Sequence, residues 1–171
     1  MENKITVIAL FGKSGAGKDY ILKQYLSRGD YHEIVSCTTR PPRDYEINGK
    51  DYHFLAEEQF AEIINKGEML ESTYFNNWYY GTPLSSLSKD KPNIGVFNPE
   101  GIRSLLKIPY LKVEPIYVYA DDGTRLLRQL IRENNPDVKE IARRYYADER
   151  DFNNIDFHYG IYDNNTPVNL D

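Results

Sequence analysis

The stretch Ile5-Thr6-Val7-Ile8-Ala9-Leu10-Phe11-Gly12-Lys13-Ser14-Gly15-Ala16-Gly17-Lys18-Asp19 decides the fold. An apolar, β-branched run breaks at Gly12, and a helical pattern opens at Gly17-Lys18. Strand, glycine-rich loop and helix in that order read as a phosphate-binding P-loop. Its backbone N–H groups and the helix N-terminus form an anion site, with Lys18 as a point charge for the outer phosphates. One position departs from the pattern. After the lysine, where such loops carry Ser or Thr for magnesium, stands Asp19.

The strand before the loop is apolar on both faces, as expected at the centre of a parallel sheet, so the class is α/β. The 171 residues suit one domain carrying small inserted lobes. Hydrophobic content of 40% with 27% charge is that of a soluble globular chain. The longest apolar run is too short to span a bilayer, and Met1-Glu2-Asn3-Lys4 has no signal-peptide character. The single cysteine, Cys37, excludes an internal disulfide and a cysteine-based zinc cluster, so a cytoplasmic location is expected. A net charge of −5 and a pI of 5.3 argue against nucleic acid as a partner. Any site for phosphates must therefore concentrate its cations locally.

Further along, a helix is expected from about 18 to 28, and a short strand from Glu33 to Cys37. Thr38-Thr39-Arg40-Pro41-Pro42-Arg43 is held extended by its prolines. Tyr45 to Leu55 alternates around Asn48-Gly49, a hairpin signal. Ala56 to Lys66 reads as an amphipathic helix, and Met69 to Phe75 and Asn77 to Thr82 as two strands. Residues 36–90 thus form a small antiparallel lobe interrupting the α/β pattern of 1–35 and 91–171. The pattern resumes with a strand at Ile94–Phe97 and a helix from Pro99 to Leu106. Another strand follows at Val113–Ala120, then helices over 125–133 and about 137–152, and a last strand at Phe157–Ile161.

Two further groups of residues can carry chemistry. Arg40 and Arg43, three apart on the stiffened loop, can converge on one phosphate with Ser36 and a tyrosine hydroxyl; an ordinary solvated turn is the other reading. Arg125, Arg128, Arg132, Arg143 and Arg144 can neutralise a transferring phosphoryl group from a mobile flap, or simply form surface ion pairs with Glu133, Asp137 and Glu140. The three histidines are dispersed and show no ligand spacing.

Taken in order, Gly12-to-Lys18, Ser36-x-Thr38-Thr39-Arg40-x-x-Arg43-x-x-Glu46-x-x-Gly49-x-x-Tyr52-x-Phe54 and Tyr79-Tyr80-Gly81-Thr82 resemble the guanylate kinase family. The resemblance covers about residues 4 to 150. It implies a three-layer P-loop kinase core with a parallel sheet, an inserted nucleoside-monophosphate lobe, and a helical lid at about 125–150. It also implies transfer of the terminal phosphoryl of ATP to GMP or dGMP, with magnesium, in a monomer or homodimer.

Carried over, Ser36, Arg40, Arg43, Tyr52 and Tyr80 would hold the acceptor's phosphate. Glu71 would read the guanine edge, with Thr82 and Asn98 beside the base. Gly12, Lys13, Ser14, Gly15, Ala16, Gly17, Lys18 and Asp19 would hold ATP. Lys18, Arg40, Arg128, Arg132 and Arg144 would be catalytic. The tract Asp163-Asn164-Asn165 faintly resembles an adenine-side segment.

Two departures stand out. The family's Asp-x-Asp on the third core strand is here Val96-Phe97-Asn98, and the P-loop hydroxyl is Asp19. A carboxylate at 19 would move the magnesium ligand into the P-loop. The neutral Asn98 leaves the base preference open. Two other readings stay open: the same chemistry on a different nucleoside monophosphate, or a guanylate-kinase-like binding module without catalysis. The retained cations favour the enzyme.

Overall fold

The computed structural model describes residues 4–166 and 168; the outermost ends of the expected core, including Met1-Glu2-Asn3, lie outside them. Strand β1 (Ile5–Phe11) is central to a five-stranded sheet. It pairs in parallel with β7 (Asn93–Val96) on one side and β8 (Leu111–Tyr119) on the other. The edges are β2 (His32–Glu33), beside β7, and β9 (Gly160–Asp163), beside β8. Every pairing in this sheet is parallel, which requires crossovers and covers both faces.

The period-two alternation of β1 feeds two apolar layers. Val7, Ala9 and Phe11 pack with Ile102 and Leu105 of helix α3 (Pro99–Leu106). Ile8 and Leu10 face the other way, onto Ile21 of α1 (Lys18–Leu26). Phe11 is fully buried, with the rings of Tyr117, Phe157 and Tyr159 at 5.2, 5.4 and 5.5 Å. Two more helices, α4 (Asp122–Arg132) and α5 (Val138–Asp151), follow β8. Each is capped by an aspartate, Asp121 and Asp137, whose carboxylate accepts N–H groups of the first turn.

The inserted segment forms a second sheet in the order β4-β3-β6-β5. Its strands are β3 (Cys37–Thr38), β4 (His53–Phe54), β5 (Met69–Phe75) and β6 (Trp78–Pro83). Helix α2 (Glu57–Asn65) covers it through the buried Phe60. The β5–β6 hairpin turns on Asn76-Asn77, both left-handed at φ 48° and 69°, as a two-residue primed turn demands.

Several expectations need correction. The lobe is mixed rather than antiparallel, because β3 and β4 run parallel. The expected strand Glu33–Cys37 is divided between the two sheets: Ile34 N–H still reaches the Ile94 carbonyl, and Cys37 already pairs with His53 and Gly81. Asn48-Gly49 does not close a hairpin. There the Asp51 carboxylate takes the Ile47 N–H and the Asn48 side chain takes the Phe54 N–H, and such local bonds displace strand pairing. The last strand starts at Gly160, because Phe157 and Tyr159 are drawn into the cluster around Phe11.

Candidate active site

The C-terminal ends of β1 and β7, the lobe and helices α4 and α5 surround a cavity of about 430 Å³. In a parallel sheet this is the end at which ligands bind. Seven cationic side chains line it (Lys18, Arg40, Arg43, Arg128, Arg132, Arg143 and Arg144) against four carboxylates. In a chain of net charge −5 this is a strong local concentration of positive charge.

The P-loop forms one wall. Gly12 and Gly15 adopt φ 151° and 78°, and a Cβ on either would stand 2.4 Å from a backbone oxygen, of Val118 and Arg125 respectively. Only glycine fits there. The Lys18 ammonium donates to the carbonyls of Gly12 and Lys13 at 2.7 and 3.2 Å. Burial pushes its pKa below the usual range, while Asp19 and Asp148 pull it back. Asp19 stands in the first turn of α1, exposed on the cavity wall.

The lobe forms the opposite wall. The Arg40 guanidinium is held by both oxygens of Glu46, at 2.9 and 2.8 Å, and lies over the rings of Tyr52 and Phe54. Glu46 also accepts the N–H of Arg43 at 2.7 Å. Ser36, Tyr52 and Tyr80 complete this wall.

Deeper in, Glu71 Oε1 accepts the Thr82 hydroxyl at 2.7 Å, whereas Oε2 is buried without a partner. Burial pushes the Glu71 carboxyl up to about 7, against the hydrogen bonds from Thr82. Thr73, two residues along the same strand face, has a buried hydroxyl that is also unpartnered. Asn98 stands at the end of β7 as the N-cap of α3, with its Oδ1 accepting the Gly101 N–H at 2.8 Å.

From α4 and α5 come the remaining cations. Arg128 donates to the P-loop carbonyls of Gly15 and Ala16, and to Asn164 O at 2.7 Å. Arg132 stacks on Tyr45 at 4.5 Å. Arg144 is buried, 3.5 Å from Glu133 and from Glu140, with its Nη1 unpartnered. Burial and the neighbouring Arg43 hold its pKa below the usual arginine range. Arg125 faces away from the opening. It is 1% exposed and binds Ser14 O, Asp122 and Asp148.

Most of the residues singled out from sequence therefore meet in one cavity. Four stand behind its wall: Lys13 pairs with Glu149, Ala16 is in the core, Thr82 is fully buried against Glu71, and Arg125 is turned to Ser14 and Asp148. Sequence reasoning gave no role to Glu46, Thr73 or Asp148. Glu46 was visible in the Arg43-x-x-Glu46 spacing. Asp148 carried no local signal, since its partner Ser14 is 134 residues away.

A family model described as "Guanylate kinase" matches residues 4–167. The chain belongs to the guanylate kinase family. It is 32% identical over 160 residues to the guanylate kinase of Wigglesworthia glossinidia brevipalpis, spanning 87% of this chain and 76% of that one. It is 31% identical over 161 residues to that of Wolbachia sp. subsp. Brugia malayi (strain TRS), spanning 91% and 83%. The crystal structure of guanylate kinase from Anaplasma phagocytophilum matches with a TM-score of 0.67 at 18% identity, over 96% of this chain and 79% of that one. That last likeness is one of fold. Among the described residues no helix is long and apolar enough to cross a membrane.

Proposed function

We propose that this guanylate kinase family member transfers the terminal phosphoryl group of ATP to GMP or dGMP, giving ADP and the nucleoside diphosphate. One observation carries the reading. The same cavity holds an unpartnered buried carboxylate oxygen, Glu71 Oε2, and an unpartnered buried guanidinium nitrogen, Arg144 Nη1. Orphaned buried groups of opposite charge are costly unless a ligand meets both. A guanine nucleotide does so, with N–H donors at one end and phosphate at the other.

In this reading the P-loop, from Gly12 to Asp19, takes the ATP phosphates on its N–H groups and Lys18. Arg40 and Arg43, oriented by Glu46, take the acceptor's phosphate with Ser36, Tyr52 and Tyr80. Arg128, Arg132 and Arg144, on a lid of about 125–150, meet the charge that spreads over the transferring group. The lobe, residues 36–90, and the lid close over the core (1–35 and 91–171), align the two phosphates and exclude water. No covalent enzyme intermediate is needed.

Magnesium fits this site on modest terms. Among the described residues no three acidic, histidine or cysteine side chains cluster for a metal. Asp19 offers one exposed carboxylate beside Lys18, which suits an ion held mainly by phosphate oxygens and water. When bound, the ion neutralises phosphate charge.

The test is steady-state turnover with ATP, magnesium and a panel of ribo- and deoxynucleoside monophosphates. Formation of GDP or dGDP is expected. No phosphoryl transfer to any of them would overturn the reading and favour a binding module.

A further inference from the structure

The tip of the β5–β6 hairpin meets the far end of α5. Asn76 Nδ2 donates to Asp151 Oδ2 at 2.9 Å, and Asn76 Oδ1 accepts from Arg150 Nη2 at 2.6 Å. Arg150 Nε in turn donates to Asp151 Oδ1 at 2.9 Å, so the three side chains close a ring. Turned over, the Asn76 amide would set its NH2 against the guanidinium and its oxygen against the carboxylate. The two bonds from Asn76 differ in weight. The Arg150 side chain is 70% exposed and its bond competes with water, whereas that of Asp151 is only 10% exposed.

The ring joins parts of the site that are 75 positions apart in sequence. The hairpin carries the acceptor wall: Glu71 pairs across it with Thr82, and Thr73 with Tyr80. Asn76 lies about 17 Å beyond Glu71 along this extended ribbon. The end of α5 that it meets is anchored. Asp148, one turn earlier, holds the Ser14 N–H of the P-loop, and Phe152, at the C-cap, packs against Phe11 of β1. Contacts therefore run from the acceptor wall, through the end of α5, to the donor loop and the core.

We propose that Asn76 is a positioning residue for the acceptor: its ring with Arg150 and Asp151 holds the lobe wall at its working distance from the P-loop, so that GMP meets an assembled site. The inference rests on the nucleoside monophosphate kinase reading. Without the ring, part of the GMP binding energy goes into bringing the wall back, and apparent affinity falls with the fraction of chains already assembled. Saturating GMP restores the arrangement itself, so KM carries the effect and kcat does not.

The test exchanges the two polar partners. Asn76→Asp keeps the left-handed turn, which aspartate tolerates, but sets a second carboxylate against Asp151. Adding Asp151→Asn supplies an amide that donates to the new carboxylate, while Arg150 keeps its acceptor at position 76. KM for GMP is expected to rise about tenfold in Asn76→Asp and to return to within about twofold of wild type in Asn76→Asp/Asp151→Asn. In both, kcat and KM for ATP should stay unchanged. Trp78, the single tryptophan, stands opposite Phe75 beside the turn. Its quenching by acrylamide should rise in Asn76→Asp and fall back in the double variant, with no substrate present. Asn76→Gly, which keeps the turn and removes the amide, should raise KM for GMP by itself, so the inference stays testable if the double variant fails to fold. A wild-type KM for GMP in Asn76→Asp or Asn76→Gly, a fall in kcat at constant KM, or a double variant that folds like wild type yet keeps the raised KM would overturn the inference and leave the kinase reading standing. If wild type phosphorylates no nucleoside monophosphate, the kinase reading fails and the quenching series decides: no rise in Asn76→Asp overturns the inference as well, and a rise reversed in the double variant upholds the ring's hold on the lobe.

Discussion

The Asp148 carboxylate on α5 accepts the N–H of Ser14 in the P-loop at 2.8 Å. The same carboxylate lies 3.3 Å from the buried Arg125 guanidinium, and Arg125 in turn holds the Ser14 carbonyl. Helix α5 and the P-loop are thereby tied together through groups that are almost fully buried. Removing one member of such a set strands the other charge. Asp148→Ala is expected to cost about 3 kcal/mol of unfolding free energy, and Asp148→Asn, which keeps an acceptor for Ser14, clearly less. Urea denaturation of both variants checks the order; equal, small losses would show the tie to be unimportant.

Glu71 titrates where the protein works. With its carboxyl pushed up to about 7 by burial, the group is ionised above that pH and neutral below it. A carboxylate accepts the base N–H groups, so acceptor binding strengthens as pH rises through 7. Below 7, KM for GMP is expected to rise about tenfold per pH unit. Glu71→Gln should raise KM at every pH and flatten the profile. A wild-type KM constant from pH 5.5 to 8 would show that the bound base does not depend on this ionisation.

Glu46 touches no substrate in the proposed reading, yet it holds Arg40 with two bonds and Arg43 with a third. Glu46→Ala frees both guanidinium groups to turn away from the phosphate. A displacement of about 1 Å costs on the order of a hundredfold, so kcat/KM for GMP should fall by that factor. KM for ATP should hold steady, because the P-loop wall is separate. A parallel loss for both substrates would point to general unfolding.

Asp19 gives a metal-specific prediction. If its carboxylate supplies the protein's ligand to magnesium, Asp19→Ala raises the free magnesium needed for half-maximal turnover several-fold, and Asp19→Ser restores part of it. Identical magnesium curves for Asp19→Ala and wild type would remove Asp19 from this role.

How much of this was legible beforehand follows from how far each signal reaches along the chain. The P-loop and β1 were readable because apolar run, glycine turn and helix start are contiguous. Arg40, Arg43 and Glu46 sit within seven residues, so their spacing was visible even where Glu46's task was not. Asn48-Gly49 misled, because the side chains of Asn48 and Asp51 bond their own loop. The real hairpin turn, Asn76-Asn77, has no glycine and relies on asparagine's tolerance of the left-handed region. The division of Glu33–Cys37 between two sheets depends on strands paired from elsewhere in the chain. Arg125 read as one of the flap arginines or a surface ion pair and Asp148 carried no reading, because burial against a loop over a hundred residues away has no local mark.

Phe11 tests the fold apart from the site. It is fully buried among Tyr117, Phe157 and Tyr159, the last two being the residues that displaced the final strand from its expected place. Phe11→Ala should destabilise by about 3–5 kcal/mol, measured by thermal or urea unfolding. A loss below about 1 kcal/mol would mean that β9 and its approach contribute little to the core.

Burial first, and then the neighbouring Arg43 and Arg132, hold the Arg144 pKa below the usual arginine range. Arg43 has Glu46 beside it and Arg144 has Glu133 and Glu140, yet Arg144 Nη1 keeps no partner among the described residues. An anion that meets Arg144 Nη1 binds the folded chain and not the unfolded one, and so stabilises it by mass action. Sulfate or phosphate is expected to raise the unfolding temperature, and chloride much less; equal temperatures in all three salts would show that no such anion site exists.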